Sequence, residues 1–204
     1  MPSREEDSPR LRQNLKKVLC EIRDSSRRRV APSIETARAW HKDTMAGLDV
    51  PGKEYVGGFR GEGGALKHCR VWIGGIEGVP PEQVANALKA FELRLQRVIK
   101  ELDNSCKRGA DLDADGLAGV IEVAAWAHAQ WVRIHPFANG SGRTARLWAN
   151  SILMRYGLPP VVKLRPRPDG SYGNAAAKAM KGEWEPTFIV FREMLLDYLR
   201  RDAP

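Results

Sequence analysis

The residues best suited to chemistry lie in one short loop, from His135 to Arg146, between two apolar segments. His135 has the only unperturbed pKa near neutrality in this loop, so it is the natural proton acceptor. Gly140 and Gly142 lead into a helical pattern, and a glycine-rich turn at a helix N-terminus aims backbone N–H groups at anions, phosphate above all. Arg143 and Arg146 are three residues apart, so they share a helix face that suits further phosphate oxygens. The loop predicts a polyphosphate site with a general base at its edge.

A plain turn between two helices is the alternative interpretation of the same loop. Such a turn needs one glycine to reverse the chain. It gives no reason for His135, Asn139 and a pair of arginines to stand so close together in the sequence. We therefore favour the phosphate site over the plain turn.

Length and composition indicate a soluble globular protein of one domain. The 204 residues are enough for a core without disulfides or metals, and hydrophobic residues make up 43% of them. The formal net charge of +8 suits an acidic partner, such as a nucleotide, a nucleic acid or an acidic protein. Ser25–Arg29 is basic enough to touch nucleic acid, but a solvated helix end is the preferred interpretation. We do not expect nucleic acid to be bound directly.

The cysteines and the N-terminus indicate the cytoplasm. Cys20, Cys69 and Cys106 are widely spaced and odd in number, which is typical of free thiols in a reducing compartment. The first residues lack the apolar core of a signal peptide, and no apolar run is long enough to cross a bilayer. We therefore expect a cytoplasmic protein with no membrane partner.

Apolar residues recur at helical spacing over most of the chain, which predicts a mainly α fold. The predicted helices cover 9–24, 33–45, 80–104, 117–134, 143–156, 171–181 and 186–200. Ser33 is a candidate N-cap, and Gly157 is a candidate stop for the helix that follows the loop. His41 and His128 fall inside helices, and both are interpreted as structural histidines.

Residues 46–81 differ from the rest, because glycine and proline are dense there. The only strand-like run is Cys69–Ile73, which Gly74 and Gly75 close. Together with Tyr55–Arg60 it could form a short hairpin. A single hairpin is marginal on its own, so it must lean on the helices or on a partner.

The linker 103–116 opens a possible calcium-binding loop. Asp111 to Glu122 match the spacing of an EF-hand loop, and helices are predicted on both sides. Against this, the position that is usually a branched apolar residue is Ala118, and the sequence holds no second such loop to pair with it. Aspartates before a helix also serve as caps and dipole partners. We prefer the capping interpretation.

The loop resembles the signature of the Fic family (filamentation induced by cAMP), in the order His-Pro-Phe-x-Asn-Gly-x-Gly-Arg-x-x-Arg. Further segments resemble the family's flap region and the helix after it (57–60, 71–74 and 80–81), its central helix (124–134) and its exit (155–160). The resemblance covers roughly residues 33–200 and implies a Fic-type helical bundle with a short β-hairpin flap. It divides the chain into an N-terminal tail and helix at 1–32 and a Fic domain at 33–204.

The resemblance implies a nucleotidyl transferase that moves AMP from ATP, with Mg²⁺, onto a Ser, Thr or Tyr hydroxyl of a target protein. His135 would take the hydroxyl proton as the oxygen attacks the α-phosphorus. Asn139 would hold Mg²⁺ together with phosphate oxygens and water. The residues expected to bind the phosphates, through backbone N–H or guanidinium groups, are Gly140, Ser141, Gly142, Arg143 and Arg146.

The same resemblance gives roles to residues that do not touch the nucleotide. The strand of Arg70, Val71, Trp72 and Ile73 would pair main chain to main chain with an extended segment of the target. Phe137 is expected to face the core and to anchor the loop. Neither expectation identifies the target protein.

Two departures from the family pattern bear on activity and regulation. Most relatives have asparagine where this chain has Ser141, so activity could be lower or the donor different. Many relatives also carry, or receive from a small partner, an inhibitory helix, Ser/Thr-x-x-x-Glu-Gly/Asn, whose glutamate pairs with the second arginine of the signature. Here neither Glu-Gly pair, at 62–63 or 77–78, has Ser or Thr four residues before the glutamate. We therefore expect a separate small antitoxin-like protein to supply a glutamate to Arg146, with this chain as the toxin.

Two other functions stay open. A Fic-fold transferase could use another donor and move UMP, GMP, a phosphoryl group or phosphocholine. The death-on-curing relatives that phosphorylate lack the Gly-x-Gly arrangement, which this chain keeps at 140–142, so phosphoryl transfer is less expected. A non-catalytic Fic-fold binding module is the third candidate, and an intact His135 argues against it.

Overall fold

The structure is a computed structural model that describes residues 8–164, 167–168 and 170–202. Within these ranges the chain forms seven α-helices, one two-stranded hairpin and two short 3₁₀ turns. The elements are α1 (Pro9–Arg27), α2 (Ile34–Met45), β1 (Trp72–Ile73), β2 (Ile76–Glu77), α3 (Pro81–Ser105), α4 (Ala114–Ile134), α5 (Ser141–Arg155), α6 (Ser171–Met180) and α7 (Glu185–Asp202). The predicted mainly α fold is confirmed, and the helix ends lie within three residues of the predicted ones.

Helix α4 is the centre of the fold and packs against α3, α5, α6 and α7. Residues 123–129 of this helix are all buried, because its apolar side chains cover its whole circumference there. Phe91 of α3, Trp131 of α4 and Trp148 of α5 pack edge to face, with ring centroids 5.3 to 5.8 Å apart. This packing fixes where α4 ends and α5 begins.

Helix α1 packs against α2 and α5. Its buried apolar side chains recur every three or four residues, at Leu11, Leu15, Val18 and Ile22. The helix continues three residues beyond the predicted end, to Arg27, because Ser26 does not break it. The Ser26 hydroxyl is buried and donates to the Ser151 carbonyl oxygen of α5 (3.0 Å).

The division of the chain into an N-terminal tail and helix at 1–32 and a second unit at 33–204 stays a prediction.

The predicted helix boundaries at Ser33 and Gly157 are confirmed. The Ser33 side chain accepts from the Glu35 N–H (3.2 Å), which caps α2. After α5, Gly157 has a φ of 83°, and the Leu158 N–H donates to the Leu153 carbonyl oxygen (3.0 Å). This pairing is the Schellman motif, in which glycine accepts the left-handed conformation without steric cost.

The start of α4 decides between the two interpretations of the aspartate-rich linker. Helix α4 begins at Ala114, and the Asp113 carboxylate accepts from the Gly116 N–H (2.7 Å). The predicted capping role is therefore confirmed. Residues 114–122 are helical, so Asp113 and Glu122 are separated by roughly 13 Å along the helix axis. They therefore do not bind one cation together, as the third and last ligands of an EF-hand loop do.

The predicted pairing of the hairpin is wrong. Strand β1 pairs antiparallel with β2, with Ile73 opposite Ile76, and not with Tyr55–Arg60. Gly74 and Gly75 both have positive φ (55° and 80°), which makes them the two central residues of a tight hairpin turn. The prediction treated these glycines as the end of a strand, whereas they reverse the chain onto residues 76–77.

Two expectations about the environment concern the thiols and the membrane. Cys20, Cys69 and Cys106 are free thiols, as predicted. Across the described ranges, no helix has both the length and the apolar character needed to cross a membrane.

Candidate functional site

His135 ends α4 in a left-handed conformation. Its φ and ψ are 50° and 57°, and its N–H donates to the Trp131 carbonyl oxygen (3.0 Å). The following proline disfavours the right-handed helix at His135, so the predicted helix end is confirmed. The left-handed region costs a non-glycine residue about 1–2 kcal/mol, so the surrounding contacts must hold His135 there.

The His135 ring has one proton donor and one free acceptor. Its Nδ1 lies 3.3 Å from the Val132 carbonyl oxygen, which can only accept, so Nδ1 carries the hydrogen and Nε2 keeps its lone pair. The pKa of His135 is lowered to about 4, chiefly by burial and in smaller part by the positive charge of Arg60, while the Val132 carbonyl opposes the shift. The ring is therefore neutral at physiological pH, with Nε2 ready to accept a proton.

His41 supports the loop from α2, and its predicted structural role is confirmed. Its Nδ1 accepts from the Gly57 N–H (3.0 Å), so its Nε2 carries the hydrogen and donates to the Asn139 carbonyl oxygen (2.8 Å). The ring also stacks on Phe137, with centroids 3.8 Å apart. Burial lowers the pKa of His41 to about 4, which keeps this hydrogen-bonding pattern intact near neutral pH.

Phe137 and Ser141 close the loop from inside. Phe137 is fully buried, as expected. The Ser141 hydroxyl is also fully buried, donates to the Phe137 carbonyl oxygen (3.0 Å) and accepts from the Phe137 N–H (3.0 Å). The Ser141 side chain therefore faces the loop interior, and only its backbone N–H can face a ligand.

Helix α5 begins at Ser141, two residues before the predicted start at Arg143. Gly140, at φ 88°, is its N-cap and has no side chain to satisfy the first N–H groups. Ser141 and Gly142 therefore contribute first-turn N–H groups at the positive end of the helix dipole. The Gly140 carbonyl oxygen accepts from the Thr144 N–H (3.0 Å), which fixes the first turn.

Arg143 and Arg146, two of the three arginines of α5, are buried at the start of the helix and have different partners. Arg143 is 7% exposed, and its Nη2 lies 3.4 Å from the Asn139 Oδ1 and 3.4 Å from the Met45 sulfur. Arg146 is 3% exposed and donates to the Tyr172 hydroxyl and the Leu164 carbonyl oxygen, each at 3.3 Å. Arg146 forms no ion pair with any described carboxylate. A buried cation in this state is costly, and a bound anion would stabilise it.

Both guanidinium groups nevertheless border the glycines. A methyl group at Gly140 would lie 3.3 Å from the Arg143 Nη2, and one at Gly142 would lie 3.7 Å from the Arg146 Nη1. The structure thus brings together the predicted phosphate-binding residues around the start of α5. Their individual roles toward a nucleotide stay predictions.

Tyr172 is a site residue that the sequence did not reveal. Its hydroxyl lies between Arg146 and the His128 Nε2, at 2.8 Å from the latter. His128 is fully buried, and burial lowers its pKa to about 3, so it is the structural core histidine that was predicted. Tyr172 stands on α6, 26 residues after Arg146, and no local sequence pattern links the two.

The flap, which in the structure is the β1–β2 hairpin with its flanking residues (69–79), passes directly over His135. The Gly78 N–H donates to the Val71 carbonyl oxygen (3.0 Å), and a methyl group at Gly78 would lie 3.1 Å from the His135 Cβ. Trp72 and Ile73 are 57% and 39% exposed on this hairpin. The predicted flap residues and the predicted base are therefore neighbours.

The metal prediction has one candidate ligand in the loop. The Asn139 side chain is exposed, and its amide oxygen is a ligand that suits Mg²⁺. In the part of the chain that the structure describes, no three His, Cys, Asp or Glu side chains cluster to hold a metal ion. The residues present fit an ion that a nucleotide brings with it, since phosphate oxygens and water would supply its other ligands.

Substitution by alanine is expected to have opposite effects on stability at Gly140 and at Gly142. Gly140→Ala should lower the free energy of unfolding by about 1–3 kcal/mol, because alanine is strained at positive φ and its methyl group would meet the His41 Nε2 at 2.9 Å. Gly142→Ala should raise it by about 0.5–1 kcal/mol, since its methyl group meets only the Arg146 Nη1 at 3.7 Å. Urea unfolding measures both. Equal destabilisation by the two variants would contradict this description of the loop.

The buried histidines predict a loss of stability in mild acid. The pKa values of His41 (about 4) and His128 (about 3) lie below the unfolded value of about 6.5, so the unfolded state binds more protons as the pH falls below that value. The free energy of unfolding should therefore fall by roughly 1.4 kcal/mol per pH unit for each of them. Urea unfolding between about pH 7 and pH 5 measures this slope. His128→Gln should flatten the slope, and an unchanged slope in this variant would contradict the assignment.

The chain matches one protein-family model and is similar in sequence to several curated proteins. A family model described as "Fic/DOC family" matches residues 31–153. The chain is 37% identical over 101 residues to the "Protein adenylyltransferase Fic" of Drosophila grimshawi and 34% identical over 101 residues to that of Drosophila melanogaster. Each match covers 50% of this chain but 18% of the relative, so the chain spans less than a fifth of these proteins.

Solved structures share the fold. Fic-1 from C. elegans superposes with a TM-score of 0.64 at 24% identity, covering 98% of this chain and 52% of the other. BepC from Bartonella tribocorum, solved with bound AMPPNP, gives a TM-score of 0.58 at 18% identity, covering 90% of this chain and 85% of the other. The family match spans more than half of the chain and includes the flap, His135 and the glycine loop, and the chain therefore belongs to the Fic/DOC family.

Proposed function

We propose that this protein transfers AMP from ATP to a Ser, Thr or Tyr hydroxyl of a target protein. The observation that carries the proposal is the juxtaposition at the start of α5. First-turn N–H groups, a buried Arg146 without a described carboxylate partner and a neutral His135 surround one loop. The name of the Drosophila relatives, protein adenylyltransferase, supports the same chemistry.

His135 is the general base of the proposed reaction. Its Nε2 takes the proton of the target hydroxyl while that oxygen forms a bond to the α-phosphorus. The bond from the α-phosphorus to the bridging oxygen breaks, and pyrophosphate leaves. Burial disfavours the imidazolium that forms, so the negative charge of the adjacent phosphates must stabilise it. The depressed pKa of His135 thus couples proton acceptance to the presence of the nucleotide.

The phosphates bind at the start of α5. The N–H groups of Ser141 and Gly142 face the charge that grows on the α-phosphate, and the helix dipole supports them. Arg143 holds the outer phosphates, and Arg146 binds the γ-phosphate. Because Arg146 is buried, a phosphate oxygen replaces the Leu164 carbonyl as the acceptor of its Nη2.

Mg²⁺ would accompany the nucleotide, and Asn139 would be its protein ligand. The Asn139 amide oxygen contacts Arg143 at 3.4 Å, which is long for a hydrogen bond, so this oxygen is available to hold the ion. When bound, the ion neutralises phosphate charge. The Ser141 hydroxyl is engaged with Phe137 and does not select the donor molecule. A donor of UMP, GMP or phosphocholine is therefore the alternative to ATP.

The target approaches along the flap. Within the described residues, β1 pairs with β2 alone, so its other edge has N–H and C=O groups available to an extended peptide. Arg70, Val71, Trp72 and Ile73 would line that peptide, and exposed Trp72 offers apolar contact area. Gly78 keeps this hairpin beside His135, so the paired peptide presents its hydroxyl to the base.

A separate small protein restrains the enzyme by inserting a glutamate beside Arg146, as an antitoxin restrains a toxin. The support is that no described carboxylate pairs with Arg146, a buried cation. Co-purification of a neighbouring gene product with this chain, lost in Arg146→Met, is the expected result. Equal growth arrest with and without that product would contradict the toxin–antitoxin arrangement.

Labelled ATP separates the candidate functions. Purified protein is incubated with lysate and Mg²⁺, and with ATP labelled at either the α- or the γ-phosphate. Label on a protein from the α position alone supports AMP transfer. Label only from the γ position indicates phosphorylation. No label from either position excludes ATP as the donor and leaves another donor or a non-catalytic binding module.

A further inference from the structure

Arg60 is a buried arginine that the proposed chemistry does not use. Its side chain is 1% exposed, and none of its acceptors is a carboxylate. It donates to four carbonyl oxygens, those of Cys69 (3.1 Å), Val79 (2.7 Å), Ile134 (2.9 Å) and His135 (2.7 Å). Its backbone N–H donates to a fifth, that of Pro136 (2.7 Å).

The four side-chain acceptors come from two parts of the molecule. The carbonyls of Ile134 and His135 lie at the end of α4, where helix carbonyls lack partners and the dipole is negative. The carbonyls of Cys69 and Val79 stand on either side of the β1–β2 hairpin. One guanidinium group therefore joins both ends of the flap to the end of the helix.

These contacts hold the backbone around His135. The Arg60 Nε fixes the His135 carbonyl, and the Arg60 N–H fixes the next carbonyl along the chain. This stabilises the left-handed conformation that His135 would not adopt unaided. Val79 is held as well, since its N–H donates to the Arg133 carbonyl oxygen (3.3 Å).

We propose that Arg60 is a positioning residue that locks the flap and the backbone of His135 into one rigid unit. The inference deepens the proposed function, on which it rests for the roles of base and flap. A target strand paired with β1 then presents its hydroxyl at a fixed distance from the His135 Nε2. Rigid placement of reacting groups is a large share of catalysis, and a misplacement of about 1 Å can cost 100-fold in rate.

The contacts require arginine. Its planar guanidinium group carries five N–H donors in a fixed fork, which serves acceptors in divergent directions. Lysine keeps the charge but offers one nitrogen, which cannot reach both ends of the flap and both helix carbonyls together. Arg60→Lys therefore separates the geometric role from the charge, whereas Arg60→Gln removes both.

The test measures hydrogen exchange of the flap amides and titration of His135 by NMR, with no nucleotide present. In Arg60→Lys the Gly78 and Val79 amides should exchange at least about tenfold faster, a difference of about 1.4 kcal/mol in opening. In Arg60→Gln the pKa of His135 should also rise toward about 6.5, since a nearby positive charge is lost and the ring gains water.

Arg155→Lys is the matched control. Arg155 is another buried arginine that donates to backbone carbonyls, those of Arg29 and Val30, and to the Asp103 carboxylate. It lies at the far end of α5, so its loss should lower stability without altering flap exchange or the pKa of His135. Equal changes in this control would reduce Arg60 to a general stabilising residue and overturn the proposal.

Two further outcomes keep the inference open to contradiction. If neither Arg60 variant folds, hydrogen exchange in the unaltered protein tests the proposal instead. The strands are only two residues long, so the proposal requires Arg60 to keep the Gly78 and Val79 amides protected. Unprotected amides would overturn it. A folded protein that transfers no AMP would contradict the proposed function alone, since neither readout depends on transfer.

Discussion

Replacing His135 by alanine is expected to lower the rate of AMP transfer by about 100- to 10,000-fold, the usual contribution of a general base. The loss should appear in the rate at saturating ATP, because in the proposed reaction His135 acts on the target hydroxyl and does not hold the nucleotide. Single-turnover transfer from α-labelled ATP measures it. His68→Ala is the control, since His68 is exposed and lies outside the loop. Equal rates in His135→Ala and the unaltered protein would exclude His135 as the base.

The pH dependence of kcat/KM for the same reaction, which reports the free enzyme, tests the environment of His135. The base works when neutral, and its pKa of about 4 places the acid limb of the rate profile near that value, well below the ordinary 6.5. Transfer should therefore stay nearly constant from about pH 7 to about pH 5, after correction for folded fraction. An acid limb near the ordinary histidine pKa would contradict the half-buried, neutral ring described for this site.

Replacing Arg146 by methionine is expected to weaken ATP binding by roughly 10- to 100-fold, because a charge-assisted contact to phosphate contributes about 1.5–3 kcal/mol. The free energy of unfolding should change by less than about 1 kcal/mol, since removing a buried cation without a carboxylate partner offsets the lost hydrogen bonds. Isothermal titration with ATP and urea unfolding give the two quantities.

Tyr172→Phe is the matched variant for Arg146. It removes the hydroxyl to which Arg146 donates but leaves the guanidinium group in place. ATP affinity should fall less than in Arg146→Met. If Arg146→Met unfolded the protein while its ATP affinity stayed normal in the folded fraction, Arg146 would be a structural arginine, and the phosphate assignment would fail.

The sequence predicted all seven helices of the described residues, because their apolar stripes follow the helical period over many residues. Helix α4 was identified from its apolar run, and its central place in the bundle followed from burial on all sides. The ends of the helices were harder to predict, because some of the contacts that extend or stop a helix come from residues far away in the sequence. The Ser26 hydroxyl bonds to a carbonyl 125 residues away, so nothing near it in the sequence distinguishes a continuing helix from a break. Gly74 and Gly75 were recognised as the end of a strand, but their role as the two central residues of a hairpin turn depends on the pairing of the residues that follow them.

The candidate site likewise contains residues that the sequence predicted and residues that it did not. The loop was predictable because its histidine, glycines and arginines are contiguous and their chemistry is distinctive. The direction of the Ser141 side chain was not, because a serine hydroxyl can face a phosphate or the carbonyl of Phe137 with equal ease. Arg60 and Tyr172 were missed as site residues because they meet the loop from 75 and 26 residues away. Such contacts follow from the packing of α4, α6 and the flap, and no short sequence pattern encodes them.

The most direct measurement of the central claim is the mass of the modified target. A protein that accepts label from α-labelled ATP is isolated, digested and analysed by mass spectrometry. The account predicts a gain equal to AMP less one water on a Ser, Thr or Tyr side chain, present with the unaltered enzyme and absent with His135→Ala. A gain equal to a phosphoryl group, or an adenylyl adduct that forms equally with His135→Ala, would contradict it.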